Sequence, residues 1–383
     1  MSAITAPSAT PSRTRWRAAP GRWLSPAAGN ALGLLLLVIS LGVAASHGGF
    51  ALGWRDVLQL GALWWQGQPA SGEDPLWAGA QVFWHIRAPR LAMGLLAGAA
   101  LGLSGSLVQG LFRNPLADPA LIGVNAGAAL GAASFIVLLP LLGATTVGFQ
   151  LGLWGVAGAM LSAFALSLLT TALVWRMARQ QGPVGQVGPV DVTRLLLVGV
   201  AVNALAGSGL GLLSHIATDN QLRALSFWML GSLAPSHWLA VACVLPAVAL
   251  SVLLSATLPA SLNTLSLGEA QAGLSGVDVQ RLQRRCVALA ALSVGSVTAV
   301  IGMVGFIGLL APHAVRLLTG PDHRAVLPGS ALLGASLVLL ADTVARTAFT
   351  PVELPLGVLT GLIGAPTFLW LLRQRSHSAA PAT

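Results

Sequence analysis

Side chains able to do acid–base, nucleophilic or metal-ligand chemistry are sparse in this chain and poorly placed for catalysis. His47, His85, His215, His237 and His323 fall at the ends of apolar runs, and only His313, just after Pro312, sits well inside one. A membrane electron carrier holding a tetrapyrrole iron needs histidines facing one another at similar depth, so that class is excluded. Cys243 and Cys286 are far apart, lack metal-ligand spacing, and read as buried structural thiols. The dispersed serines and histidines form no triad. All 20 basic residues are arginine. The absence of lysine removes a Walker A phosphate loop and a Schiff base, so any energy from ATP must come from another chain.

What remains is recognition chemistry. Arg87-Ala88-Pro89-Arg90 opens one apolar run and Arg346 closes another, with Asp342 four residues before it on the same helix face. These arginines read either as ordinary interfacial snorkelling or as forks offered to carboxylates of a docking protein. Leu267–Arg285, LGEAQAGLSGVDVQRLQRR, is a polar, glycine-punctuated insert between two apolar runs. A short helix–turn–helix hanging from a membrane bundle is a shape that a soluble partner can hold. Arg113-Asn114-Pro115-Leu116-Ala117-Asp118-Pro119 is a compact turn in which prolines stop helices and Asn114 and Asp118 can cap. Taken alone, it reads as a simple connection. Asn203, Ser208 and Ser214 lie among Gly199, Gly207, Gly209 and Gly211. That small, mildly polar run suits a pathway wall or a close-packing face.

The elements that position these residues are membrane spans. Hydrophobic residues make up 55% of the 383 residues, charged residues 8%, and the mean hydropathy is +0.79. Soluble domains carry about a quarter charged residues, so the expected fold is an all-α polytopic membrane protein. The net charge of +9 describes loops and gives no nucleic-acid patch. Ten spans are expected near 29–47, 88–112, 118–140, 150–175, 194–214, 237–258, 286–304, 305–319, 327–347 and 354–372. Gly302 and Gly305 separate the seventh and eighth, as a sharp turn or as a kink in one helix. With both termini inside, arginines 13, 15, 17, 22, 113, 176, 179, 194, 281, 284, 285, 316, 324, 373 and 375 are internal, and 55, 87, 90, 223 and 346 external. That asymmetry obeys the positive-inside rule.

Residues 1–28 read as a disordered cytoplasmic tail, with a signal peptide whose apolar part is 31–45 as the alternative. Residues 29–375 form one transmembrane domain carrying the insert at about 263–285, and 376–383 a short tail. The outer segment 48–87 holds Trp54, Trp64, Trp65, Trp77 and Trp84, a density that suits a helix at headgroup level. Ser214–Pro235 reads as a second outer segment, re-entrant or interfacial. Asp342 and Glu353 lie near the outer surface and the spans otherwise lack acids, which weakens a proton-coupled transporter.

Together these pieces resemble the permease subunits of binding-protein-dependent ABC importers for iron-siderophores, haem and cobalamin. The resemblance runs from about Trp54 to Arg375. It is carried by RAPR at 87–90, LSGSLVQGLFRNPLADPALIGVNAGAALGA at 103–132, QLRALSFWMLGSL at 221–233 and LGEAQAGLSGV at 267–277. VGFIGLLAPHAVRLLTGPDHR at 304–324, ADTVAR at 341–346 and ELPLGVLTGLIGAPTFLWLLR at 353–373 complete it. It implies a type II ABC importer permease of the bacterial inner membrane with about ten helices. It also implies a second copy forming a central pathway, two ATPase subunits below and a periplasmic substrate-binding protein above. ATP is then used by the partner subunit, and the chain itself holds no permanent cofactor and no metal.

Carried over residue by residue, Arg87, Arg90 and Arg346 match arginines that meet acids of the binding protein. Asn114 and Leu116 match the NPL turn at the cytoplasmic mouth. Gly268, Glu269, Ala270, Gly273, Gly276 and Val277 match the coupling helices held by the ATPase. The fifth span, with Asn203, Gly207 and Gly211, matches the pathway wall. NALAGSGLGLL at 203–213 and QGLFRNPLADPALIG at 109–123 are most similar to haem-importing members, ahead of ferric siderophore and then cobalamin. The chain has no tyrosine, so no tyrosinate could bind haem iron. A stand-alone secondary transporter or channel is the reading of another class.

Overall fold

Lipid offers no hydrogen-bond partners, so a chain this apolar must satisfy its backbone internally, and it does so as helices. The computed structural model describes residues 24–50, 52–67, 72, 74, 76–141, 153–181, 187–190, 192–349 and 352–378. Most of the expected N-terminal tail, and the end of the C-terminal one, lie outside them. Helix α1 (Pro26–Ser46) starts where Ser25 accepts from the Ala28 N–H at 3.2 Å. Outside the first span come α2 (Trp54–Trp65) and α3 (Trp77–Val82). α4 (Ala88–Phe112), α5 (Val124–Leu141), α6 (Leu153–Ala178) and α7 (Val192–Ile216) follow. α8 (Asp219–Leu230) is a short helix, followed by α9 (Trp238–Ser255). α10 (Pro259–Leu265) leads into the insert, whose own helix is α11 (Glu269–Leu274) and whose end is the start of α12. α12 (Val279–Ile301), α13 (Ile307–Thr319), α14 (His323–Thr347) and α15 (Leu356–Ser378) complete the chain.

Each of the ten expected spans falls on a helix. Among the described residues eight helices are long and apolar enough to cross a bilayer, and Ile307–Thr319 and Leu356–Leu369 are shorter apolar ones at the eighth and tenth positions. The seventh span begins two turns earlier than expected, so Arg281, Arg284 and Arg285 ride on α12. The third is preceded by a 3-10 turn, Pro119–Ile122. A short antiparallel ribbon, β1 (Arg179–Gln181) with β2 (Val187–Val190), joins α6 to α7. An all-α reading did not foresee it.

α4 and α12 are the hub. Across an apolar 18-residue stretch of each, 78% of residues are buried, against 22% for α1 and α7. α4 reaches its neighbours backbone to backbone. A Cβ on Gly98 would meet the carbonyl oxygen of Gly334, one on Gly102 that of Ser330, and one on Gly105 that of Gly308. Small residues at these crossings are what lets membrane helices touch so closely. Below its N-terminus the helix widens into a π turn, Phe83–Arg87, where the Ala88 N–H reaches back to the Phe83 carbonyl. Pro89 has no N–H to return to His85, and the extra residue per turn absorbs that loss.

The junction near Gly302 is a sharp turn between two helices. α12 stops at Ile301, Gly302 takes φ +73°, and Phe306 takes φ +67° immediately before α13. A side chain at Gly302 would strike the Trp228 carbonyl.

Candidate functional site

Three stations lie along the bundle. The outer one is a buried ion cluster. Arg90 Nε lies 3.1 Å from both carboxylate oxygens of Asp342, and its Nη2 donates to Asp342 Oδ1 at 2.8 Å. Nη1 and Nη2 also reach Glu353 at 3.1 and 2.9 Å. Asp342 pairs in turn with Arg346 Nε at 3.0 Å, the expected i,i+4 contact. Arg346 Nη2 donates to the Ala44 carbonyl at 3.1 Å. Arg87 donates to the carbonyls of Ala45 at 2.6 Å and Phe50 at 2.8 Å. The cluster thus ties α4, α14, the end of α1 and the segment before α15.

All three arginines are buried. They are therefore not merely snorkelling, although Glu353 remains half-exposed. Three guanidiniums meet two carboxylates here. Arg87 touches only carbonyls among the described residues, so the cluster carries an excess positive charge at this end of the bundle. Sequence reasoning found the arginines and the Asp342–Arg346 pair. It missed both partners of Arg90, which are 252 and 263 residues away.

The second station joins the turn after α4 to α7. Arg113 ends α4 in the left-handed region, at φ 49°. Asn114 Oδ1 accepts from the Leu116 N–H at 2.9 Å, and Asp118 Oδ1 from the Ala120 N–H at 2.8 Å. Burial pushes the Asp118 carboxyl above its usual range. Asn203 Nδ2 donates to the Ala120 carbonyl at 3.0 Å, and Gly199 rests against the Leu121 carbonyl. Asn203 therefore clamps the 3-10 turn to α7. Gly207 and Gly211 differ: a Cβ at either would meet nothing within 4 Å. They share an unpacked face with Ala204, Ser208 and the exposed Leu205 and Leu212.

The third station is the insert. Gly268 at φ +120° and Gly276 at φ +82° turn the chain into and out of α11, where side chains would be strained. Glu269 begins α11, and its Oε1 lies 3.4 Å from Gln283 Nε2 on α12. Ala272 is buried, whereas Leu267 is 73% and Leu274 85% exposed. Ala270 and Gly273 lie on the same short helix, and the Val277 N–H closes on the Ala272 carbonyl at 3.0 Å. A Cβ on Gly268 would sit 3.9 Å from Arg113 Nη1, so the second and third stations adjoin.

A pin unseen in the sequence fixes the insert. Asn263 Nδ2 donates to Asp322 Oδ1 at 2.7 Å, and its Oδ1 accepts from the His323 N–H at 2.9 Å. The Arg324 N–H and the Asn263 amide hold the Asp322 carboxyl below its ordinary range. The signal was Gly320-Pro321-Asp322, a helix start with Asp at the cap. Nearby, Arg316 bonds Gln109, whose Nε2 reaches the Gly308 carbonyl at 3.3 Å.

Among the described residues no three His, Cys, Asp or Glu side chains come together as a metal site. Cys286 is buried as expected. Cys243 is exposed, because α9 turns that side out of the bundle.

This architecture has relatives. A family model described as the FecCD transport family matches residues 33–374. The chain is 40% identical over 350 residues to the hemin transport system permease protein HmuU of Yersinia pestis, covering 90% of this chain and 95% of that one. It is 38% identical over 294 residues to the cobalamin import system permease protein BtuC of Halobacterium salinarum, covering 77% and 74%. A solved structure of a metal-chelate type ABC transporter in an inward-facing conformation superposes with a TM-score of 0.72 at 29% identity. That match covers 91% of this chain and 99% of the other.

Proposed function

The chain belongs to the FecCD transport family, and from that premise we propose that it is the permease subunit of an ATP-driven importer that moves haem into the cytoplasm. The observation that carries the transport reading is the pairing of two unsatisfied surfaces. One is an apolar tip, Leu267 and Leu274, on an insert pinned to the bundle through Asn263. The other is the open glycine–serine face of α7. The first suits a soluble motor and the second a passage.

In this reading two ATPase subunits grip Gly268, Glu269, Ala270, Gly273, Gly276 and Val277 and supply all ATP chemistry. A second copy of the chain closes the pathway around Asn114, Leu116, Gly207 and Gly211, with Asn203 clamping the turn beside it to α7. The periplasmic substrate-binding protein docks at the outer rim, drawn by the excess charge around Arg87, Arg90 and Arg346. The transporter sits in the inner membrane with both termini cytoplasmic, as one transmembrane domain over 29–375.

Haem is favoured over a ferric siderophore or cobalamin by the likeness to HmuU over nearly its whole length. The chemistry of α7 agrees, since a large ring with an apolar face slides along glycine, alanine and serine without being held by a strong ligand. The alternative of a stand-alone secondary transporter is disfavoured because Asp342 and Glu353 are engaged by arginines and so make a poor proton relay. The deciding experiment co-expresses the chain with its genomic ATPase and binding protein and measures ATP-dependent uptake into vesicles. Hemin uptake exceeding that of cobalamin and a ferric siderophore supports the proposal. Uptake of another cargo alone would replace the substrate, and uptake without the ATPase would overturn the class.

A further inference from the structure

The outer helix α2 is divided into three sides. Projected at about 100° per residue, Val57, Leu60, Gly61 and Trp64 share the side that packs inward, where Leu60 is 2% exposed and Trp64, 61% exposed, lies against the Trp84 ring with centres 5.5 Å apart. That side lies on Ala45 near the end of α1, Ala80 of α3 and Phe83 of the π turn before α4. A second side carries Arg55, Gln59 and Gln66, all polar and exposed. The third carries Trp54, Leu58, Ala62 and Trp65, one continuous stripe at i, i+4, i+8 and i+11. Trp54, Leu58 and Trp65 on it are 62%, 63% and 84% exposed. A helix lying between protein and water alone needs only two sides.

We infer that the Trp54–Leu58–Ala62–Trp65 stripe is seated in the outer lipid leaflet, with the phospholipid headgroup–acyl boundary as its partner. The surroundings name that partner. The stripe contains no charge. α2 packs on α1, whose own outward side is Leu34, Leu35, Val38 and Ile39, the surface of a helix facing acyl chains. Trp77 and Trp238 are also exposed at this end of the bundle, and Trp238 Nε1 donates to the Trp84 carbonyl at 2.9 Å. Tryptophans gather at that depth because the ring is apolar and its N–H is not. The Arg55 guanidinium lies 5.4 Å from the centre of the Trp54 ring, on the edge where the polar side begins. A cation there stands level with lipid phosphates. The seat also bears on the ion cluster: Phe50, whose carbonyl holds Arg87, lies on the short link between α1 and α2.

The test uses the full transporter in vesicles of phosphatidylethanolamine and phosphatidylglycerol, with Cys243→Ala as background because Cys286 is fully buried. Trp54→Cys, Leu58→Cys, Trp65→Cys, Arg55→Cys, Gln59→Cys, Gln66→Cys and Leu60→Cys are spin-labelled one at a time. Collision with oxygen should dominate at 54, 58 and 65, collision with a water-soluble nickel chelate at 55, 59 and 66, and both should be weak at 60. Nickel access at 54, 58 and 65 equal to that at 59 would overturn the inference. So would protection of that stripe only after a soluble protein is added. A second measurement needs no label: brominated lipid should quench less of the total emission in Trp54→Phe/Trp65→Phe than in the wild type. An unchanged quenched fraction would count against the seat.

Discussion

Asp342→Asn tests whether the outer ion cluster holds the bundle together. The carboxylate is 5% exposed and is shared by Arg90 at 2.8 Å and Arg346 at 3.0 Å. Asparagine keeps the volume and removes the charge. Two buried guanidiniums then face each other with only Glu353 between the cluster and solvent, and that acid is 45% exposed. Removing one partner of a buried ion pair costs roughly 3–5 kcal/mol, or about a 10²- to 10⁴-fold fall in the folded ratio at about 1.4 kcal/mol per decade. Glu353→Gln breaks a half-solvated pair of similar length, where exposed pairs are worth about 0–1 kcal/mol. The purified complex in detergent should therefore show a much lower thermal midpoint for Asp342→Asn than for Glu353→Gln. Asp342→Asn/Arg346→Gln, which deletes a cation with the anion, should recover part of the loss. Equal midpoints for the two single variants would refute burial as the source of the strength. Failure of the double variant to recover would refute the charge argument.

Three further outcomes follow from the other stations. Leu274→Glu should abolish co-purification of the ATPase while Leu274→Met retains it, since the exposed leucine is replaced by a charge at a surface expected to be covered; capture of the ATPase by both would remove α11 from that interface. Single cysteines at Gly207 and Gly211 should react with a water-soluble thiol reagent in the nucleotide-free complex, and one at Asn203 should not; the reverse pattern would exchange wall and clamp. Asp322 titrates below its ordinary value when folded, so its contribution is complete above the unfolded carboxylate pKa of about 3.9 and is lost as pH falls through the folded value. Asp322→Ala should cost about 0.5–2 kcal/mol at neutral pH and lessen the acid-dependent fall in thermal midpoint below about pH 4. A wild-type acid limb in that variant would show that the cap is not involved.

The spans were legible because bilayer burial writes an unambiguous signal: long apolar runs, with arginines gathered on one side. The outer amphipathic helix was legible from its tryptophans. Less local features were not. Arg90 meets its acids only after helices far apart in sequence have packed, and no periodicity records that. The Gly302 junction was ambiguous because one of its two left-handed residues is Phe306, a side chain that sequence reasoning does not place there. Asn203 looked like pathway wall because its neighbours are small. No local signal showed that its amide reaches the Ala120 carbonyl, a partner 83 residues away. Glycines gave the same letter for opposite situations, since Gly102 is jammed against a carbonyl and Gly207 faces open space.

That last contrast separates two kinds of position for anyone wishing to redesign cargo choice. Along α4, the crossings at Gly98, Gly102 and Gly105 leave no room for even a methyl group, so variation there is forbidden by the scaffold itself. Along α7, Gly207 and Gly211 accept a methyl without meeting a neighbour. If the proposed passage runs along it, a combinatorial library confined to the open face of α7 alters its calibre and polarity while leaving the frame around α4 untouched. On that proposal, stability and selectivity are written on different helices, and so can be tuned apart.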